Sequence, residues 1–258
     1  MMNFEKFKDQ ASRIMGLDLD RYKAKRVKRR VDSLMRRRNI ADYEECLKSL
    51  RNEFEFRAAF LNHFTINTTE FFRNPSNFVT LEKELFPRLF DETSKVKIWS
   101  APCSNGCEPY SLAILIDEMG MKPHQYEILG VDLDPQILND ARKGIYNASA
   151  IKNLSSTRKN KYFEKIDDNT YALSERIKRM VTFKEFDLIK DTYSKNWDFI
   201  LSRNFFIYLT QDGKSELTHK FVDSLRTNGI LFLGNTEFIF EPEKFGLRKI
   251  VSSFYEKK

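Results

Sequence analysis

Lys97-Ile98-Trp99-Ser100-Ala101-Pro102-Cys103-Ser104-Asn105-Gly106-Cys107-Glu108-Pro109-Tyr110-Ser111 is the stretch on which the fold turns. Residues 96–99 form a short apolar run that reads as a strand, and small residues follow it. Tyr110, Leu112, Ala113, Leu115 and Ile116 then recur at helical spacing. A strand, a loop of small residues and a helix in immediate succession is how a nucleotide-type cofactor site begins in a parallel sheet. Small residues let a ligand approach the backbone, and a helix start offers N–H groups without intrahelical partners. Taken alone the unit is common, and Gly106 is its one glycine.

Downstream the alternation continues. Residues 126–131 read as a second strand ending in Asp132-Leu133-Asp134-Pro135, with a helix over 135–143. An acidic residue at the end of the second strand is where related folds hold ribose hydroxyls, which makes Asp132 the candidate. Asp134 before Pro135 reads as a helix N-cap. The polar stretch 147–168 reads as helical turns outside the sheet. Strands are expected over 180–186, 197–201 and 230–234, a helix over 213–226 stopped by Thr227-Asn228-Gly229, and one final strand over 248–255. The pattern predicts an α/β domain with a mostly parallel sheet and ligands at the carboxyl edge of its strands.

Upstream, residues 4–64 contain no proline and one glycine, Gly16, and read as a bundle of about four short helices. The second concentrates charge: Arg21, Lys23, Lys25, Arg26, Lys28, Arg29, Arg30, Arg36, Arg37 and Arg38 face only Asp20 and Asp32. Tyr22, Ala24, Val27, Val31, Leu34 and Met35 recur on the other face, so one stripe is buried and a dense basic face is left outside. A solvated face is the plain reading of a charge run, but such self-repulsion favours a docking surface for something acidic. Nucleic acid and an acidic protein helix both meet that demand.

At the junction, Thr65-Ile66-Asn67-Thr68-Thr69-Glu70-Phe71-Phe72-Arg73-Asn74-Pro75 sets polar residues around an aromatic pair. That suits a segment pinned by its rings with polar groups toward a cleft, and equally a cap for a helix over 76–89.

Composition sets the limits. The 258 residues carry a net charge of +7, 41% hydrophobic and 31% charged residues, which describes a soluble globular protein. No apolar run is long enough to span a bilayer and the first residues do not open a signal peptide, so a cytoplasmic protein without membrane insertion is expected. Cys46, Cys103 and Cys107 suit neither a disulfide framework nor a metal site, and His63, His124 and His219 form no catalytic set.

Asn67-Thr68-Thr69-Glu70-Phe71-Phe72-Arg73, the opening stretch through Glu108-Pro109-Tyr110-Ser111, Asp132-Leu133-Asp134, Ser202-Arg203-Asn204 with Ile207-Tyr208, and Leu233-Gly234-Asn235-Thr236-Glu237 together resemble the CheR-type chemotaxis-receptor glutamate O-methyltransferases. The resemblance is collinear over essentially the whole chain. It implies a small all-α domain over 1–64 that docks receptors, and a linker plus Rossmann-like S-adenosylmethionine-binding domain over 65–258. It also implies methylation of glutamates on the cytoplasmic helical bundle of chemoreceptors, the methyl-accepting chemotaxis proteins. The products are glutamyl methyl esters and S-adenosylhomocysteine.

By matching positions it assigns the cofactor to Asn67, Thr69, Arg73, Glu108, Asp132, Asp187, Leu188, Arg203 and Asn204, and sets Arg73 and Tyr208 near the reacting centre. It directs the basic face, Lys25, Arg26, Arg29 and Arg30, to the acidic receptor bundle, with no nucleic acid and no metal involved and a monomer expected. A glutamate is ionised at neutral pH, so the transfer needs no strong base, and alignment is the main contribution asked of the protein. Arg73 can hold the incoming carboxylate, against the plainer reading of an ion pair with Glu70 or Glu108. Tyr208 can orient the carboxylate or line the methyl pocket, against the plainer reading of a core aromatic.

Three positions depart from the family, which usually has glycine at Pro102, threonine at Asn105 and glutamate at Cys107. A cofactor sensor without turnover is the alternative they raise. No room for a β-subdomain is expected near the carboxyl terminus, where 238–246 is short.

Overall fold

The computed structural model describes residues 2–64 and 69–258. They fall into two compact units, one made of residues 2–64 with Phe206–Leu217, the other of residues 69–205 and 218–258. The segment Phe206–Leu217, which the sequence reading assigns to the second domain, thus lies in the first unit.

In the first unit the four expected helices are α1 (Phe4–Met15), α2 (Ala24–Arg38), α3 (Tyr43–Asn52) and α4 (Phe54–Phe64). Local chemistry sets their ends. Asn3 caps α1 by accepting from the Lys6 amide at 3.0 Å, Gly16 stops it at φ 67°, and Asp42 caps α3 through the Glu45 amide at 2.9 Å. The apolar stripe of α2, Val27, Val31, Leu34 and Met35, is buried with Phe7, Ala11, Cys46, Leu47, Leu50, Phe56 and Phe60. Leu209 and Leu217, which belong to the same unit, are buried as well. Their segment is stitched in by Lys23 N–H to the Tyr208 carbonyl at 2.8 Å, Thr210 N–H to the Arg21 carbonyl at 2.9 Å, and an Arg21–Glu216 ion pair at 3.0 Å.

The second unit is built on seven strands, β1 (Val96–Ser100), β2 (Tyr126–Asp132), β6 (Val181–Glu185), β7 (Trp197–Ser202), β8 (Leu225–Leu233), β9 (Leu247–Val251) and β10 (Phe254–Lys257). They form one sheet of order β6-β2-β1-β7-β8-β10-β9. β6, β2, β1, β7 and β8 run parallel, while β10 is antiparallel to β8 and β9. The chain winds outward from β1 through β2 to β6, then returns to lay β7 on the other side of β1. The sheet therefore reverses its winding between β1 and β7, and sheets of this kind bind ligands at the carboxyl ends of the strands beside that reversal.

A helical stretch of α5 (Pro75–Thr80), a π-helical turn (Leu81–Leu85) and α6 (Phe86–Glu92) precedes β1. Later come α7 (Cys107–Glu118), α8 (Pro135–Lys143), α9 (Ser156–Tyr162), α10 (Glu175–Lys178) and α11 (Gln211–Ser224), the last with residues in both units. Leu112 to Ile116 of α7, Ile98, Ile128, Phe199, Leu201, Ile230 and Phe232 form one buried apolar cluster. Strands buried on both faces explain why their sequences are near-continuous apolar runs.

Three expectations are corrected. The stretch 147–168 is not helical turns alone. It contains α9, but β3 (Ile145–Asn147), β5 (Thr170–Leu173) and β4 (Phe163–Lys165) build a separate antiparallel sheet of order β3-β5-β4. A small β-sheet is thus present, within 145–173 and away from the carboxyl terminus. Such short strands carry one or two inward side chains, as Tyr146 in β3, which is too few for a period of two to show. The final strand is a hairpin, β9 and β10, turned at Ser252 with φ 42°. Helix α11 ends at Ser224, before the expected Thr227-Asn228-Gly229 stop, and that tripeptide lies inside β8 with Asn228 at φ 63°.

Candidate functional site

The loop after β1 is fixed by the strands beside it. Ala101 N–H donates to the Leu201 carbonyl at 2.8 Å and Cys103 N–H to the Val131 carbonyl at 2.7 Å, and the Ala101–Pro102 bond between them is cis. The loop then enters left-handed backbone at Ser104 (φ 50°) and Gly106 (φ 87°). A Cβ on Gly106 would stand 2.9 Å from the Tyr110 ring and 3.1 Å from Ala141, so glycine is required by both angle and space. Asp132, at the end of β2 and 5% exposed, holds this loop: its Oδ2 accepts from Ser104 N–H at 2.8 Å and its Oδ1 from Asp134 N–H at 3.1 Å. Burial pushes its carboxyl up to about 6, against the pull of those amides. A carboxylate has about four acceptor sites, so room remains on it for a hydroxyl donor. Asp134 caps α8 through the amides of Gln136 and Ile137, as expected.

Glu108, in the first turn of α7, is paired with Arg203 at the end of β7 over 2.7 Å. Arg203 is 4% exposed, lies over the Phe232 ring at 5.0 Å and also donates to Asn74 Oδ1. Burial raises the Glu108 carboxyl above its ordinary value, while the cations Arg203 and Arg73 lower it. One guanidinium thus ties the helix after the loop to the turn that carries Arg73.

That turn is pinned by its aromatics, as its sequence suggests. Phe71 is buried edge-on against Tyr146 at 4.8 Å and Phe163 at 5.0 Å, and Phe72 N–H donates to Ser111 Oγ at 2.9 Å. Phe72 (φ 50°) and Asn74 (φ 59°) are left-handed, so the chain doubles back around Arg73. Arg73 lines a cleft of about 440 Å³ with Thr69, Glu70, Asn105, Tyr146 and Lys152. Glu70 pairs with Lys152 at 2.7 Å and Glu108 with Arg203 at 2.7 Å. Among the described residues, neither acid forms an ion pair with Arg73.

Asp187, after β6, spends its Oδ1 on the amides of Ile189 (2.8 Å) and Lys190 (3.3 Å). Leu188 is buried with its carbonyl accepting from Tyr193 Oη at 2.6 Å. Both follow Phe186, whose amide donates to the Asp132 carbonyl at 2.9 Å. Asn204 is left-handed (φ 60°) and its amide donates to Glu237 Oε2 at 2.7 Å. Asn67 lies outside the described residues. Tyr208 lies in the first unit, where the Arg26 guanidinium stands 5.9 Å from its ring centroid. On α2, Lys25, Arg26 and Arg29 are exposed, whereas Arg30 is half-buried and donates to the His63 carbonyl.

Sequence reasoning gave Asn74 no part in the site and Glu237, quoted within residues 233–237, no role of its own. Glu237 is 6% exposed and accepts from Asn204 N–H and, at 2.8 Å, from Gly234 N–H. A Cβ on Gly234 would meet this carboxylate at 2.6 Å. The Gly234-x-x-Glu237 spacing was the available signal for it. Asn74 was readable only as a cap before Pro75.

Buried polar atoms without a partner test the fit to a polar cofactor. Thr69 Oγ1, Ser100 Oγ, Ser104 Oγ, Ser202 Oγ and Arg203 Nε are such atoms among the described residues. Ser100 and Ser202 end β1 and β7, Arg203 follows β7, and Ser104 is in the β1 loop. An unmade buried hydrogen bond costs about 1–3 kcal/mol, so a ligand rich in hydroxyl, amino and carboxylate groups suits these segments.

A sheet that switches direction at β1, with an acid closing β2 and a buried acid–arginine pair joining α7 to β7, defines a Rossmann-like nucleoside-cofactor domain. Residues 67–253 match the family described as CheR methyltransferase, SAM binding domain, and residues 2–65 match CheR methyltransferase, all-alpha domain. The chain belongs to the CheR methyltransferase family, so the fold class and cofactor expected from the sequence hold. It is 38% identical over 247 residues to a chemotaxis protein methyltransferase of Listeria innocua, covering 95% of this chain and 93% of that one. To a protein of the same description from Escherichia coli it is 30% identical over 243 residues, covering 90% and 83%. Among the described residues no helix is long and apolar enough to cross a membrane.

Proposed function

We propose that the protein methylates glutamate side chains on the cytoplasmic helices of chemoreceptors, giving glutamyl methyl esters and S-adenosylhomocysteine in chemotactic adaptation, and that it acts in the cytoplasm. S-adenosylmethionine, when bound, supplies a methyl group activated by a sulfonium. The protein's residues hold and align. Asp132 accepts ribose hydroxyl hydrogens, and the Glu108–Arg203 pair keeps α7 and β7 in register beneath the cofactor. Arg73 receives the acceptor carboxylate. The carboxylate oxygen forms the new C–O bond as the methyl–sulfur bond breaks, and that electron pair stays on the leaving sulfur. Because the carboxylate arrives ionised, no residue has to take a proton.

The observation that carries this reading is the condition of Arg73. Among the described residues it lines a polar cleft beside Asn105 while its two neighbouring acids are paired with other cations. A guanidinium in that state suits a bidentate carboxylate from outside. Lys25, Arg26 and Arg29 on α2 supply the attraction for an acidic bundle, with Arg30 divided between that face and the fold.

Radiolabelled methyl from S-adenosylmethionine should enter a receptor cytoplasmic fragment as a base-labile ester. Absence of transfer to any such fragment sinks the proposal, and cofactor binding without transfer would favour a sensor. Arg73→Ala should lower kcat by about a hundredfold with unchanged melting temperature. Tyr208→Phe asks whether that hydroxyl, which the resemblance sets near the reacting centre, contributes.

A further inference from the structure

Phe238 and Phe240 are 70% and 71% exposed, although large aromatics are ordinarily drawn inside. Their neighbours force them outward. Glu237 is held inside by the amides of Asn204 and Gly234 at 2.7 and 2.8 Å. Ile239 is 8% exposed, and its amide donates to the Tyr255 hydroxyl at 3.3 Å. The loop is thus pinned at alternate residues, and the two between and beyond the pins are phenylalanines. It leaves the end of β8, where Leu233 pairs with Ser202 of β7, the residue before Arg203. A second tie, Asn77 Nδ2 to Asn235 Oδ1 at 2.6 Å, fastens its base to α5. The aromatic pair therefore stands on a braced loop at the same sheet edge as the Glu108–Arg203 pair.

We propose that Phe238 and Phe240 are a docking foot for the acceptor helix, taking an apolar side chain about one turn from the glutamate that is methylated. This rests on the receptor reading given above. Side chains three or four residues apart share one helix face, so a helix offering its glutamate at the cleft also offers such a neighbour. Local charge selects an apolar contact. The same loop continues into Glu241 and Glu243, and Lys244 is spent on Glu241 at 2.6 Å. Within this loop an acidic stripe finds no attraction, while an apolar side chain is accepted.

The test uses the full chain and a receptor cytoplasmic fragment that wild type methylates. Phe238→Ser/Phe240→Ser should raise KM for the fragment about tenfold or more, as loss of aromatic anchors does, with kcat at saturation, cofactor Kd and melting temperature unchanged. Phe54→Ser, at an aromatic 76% exposed in the first unit, should behave as wild type. Serine in place of the fragment's apolar residue one turn from the methylated glutamate should cost wild type the same factor and add nothing in the double variant.

An unchanged KM in the double variant overturns the inference and leaves the receptor reading intact. If wild type methylates no receptor fragment, both are overturned. A concentration-dependent dimer that the double variant abolishes, or vesicle binding of 1-palmitoyl-2-oleoyl phosphatidylcholine that it abolishes, would assign the pair to self-association or a lipid surface and also overturn it.

Discussion

Asp132 gives the cofactor site its pH dependence. Burial raises its carboxyl to about 6. For the fold alone the sign is unfavourable to ionisation: the stabilisation is fully present below the unfolded value of 3.8 and is lost as pH rises through about 6. Cofactor binding runs the other way, because the ionised carboxylate offers only acceptors to ribose hydroxyls. Affinity for S-adenosylmethionine should be level above pH 7 and about tenfold weaker at pH 5, measured by calorimetry. Asp132→Asn should bind more weakly throughout and flatten the profile below pH 7.

The Glu108–Arg203 pair gives a second test at this scale. Breaking a buried ion pair from one side costs about 3–5 kcal/mol, because the other charge stays buried. Glu108→Gln and Arg203→Met should each lower the urea midpoint strongly, and the double variant should lose much less than their sum. Additive losses would mean that the two side chains do not depend on one another. Glu108 and Arg203 were each legible through their motifs, but their pairing was not, since 95 residues separate them. A separation of 33 residues likewise hid Glu237 behind the Asn204 amide.

At the scale of elements, α2 carries the clearest expectation. Arg26→Glu/Arg29→Glu should weaken binding to a receptor fragment at least about tenfold and leave cofactor Kd unchanged, since exposed charges act mainly on association. Equal loss of both would make the helix structural. Arg30 belongs to a different test. Its guanidinium donates to the His63 carbonyl and burial lowers its pKa, so Arg30→Glu should also reduce melting temperature.

Elements with a long period were readable: α2 through Val27, Val31 and Leu34, and β1 and β2 through apolar runs bounded by Ser100 and Asp132. The elements that escaped lack that length. β3, β4 and β5 are three or four residues each, and only antiparallel pairing gives them a face. β9 and β10 look like one strand because Ser252 and Ser253 carry no glycine or proline to announce the turn, although Ser252 adopts φ 42°.

At the scale of the whole molecule, the first unit is discontinuous in sequence. Residues 2–64 draw Phe206–Leu217 into their own unit, and the chain between and after them builds the second. Leu209 is wholly buried, and the edge Arg21-Tyr22-Lys23 uses that segment for two backbone hydrogen bonds and a bridge between Tyr22 and Leu209. A fragment ending at residue 64 keeps the caps of α1 and α3 but loses these partners and the buried Leu209 and Leu217. A buried leucine contributes about 1.5–3 kcal/mol by transfer alone, comparable with much of the stability of so small a bundle. Residues 2–64 alone should therefore melt well below the full chain, with amides of residues 21–23 and α2 exchanging fastest by hydrogen–deuterium exchange. Leu209→Ala in the full chain should reproduce part of that loss, about 2–5 kcal/mol, while cofactor Kd holds. A fragment as stable and as protected as the full chain would mean that the segment 206–217 lies against a bundle already complete without it.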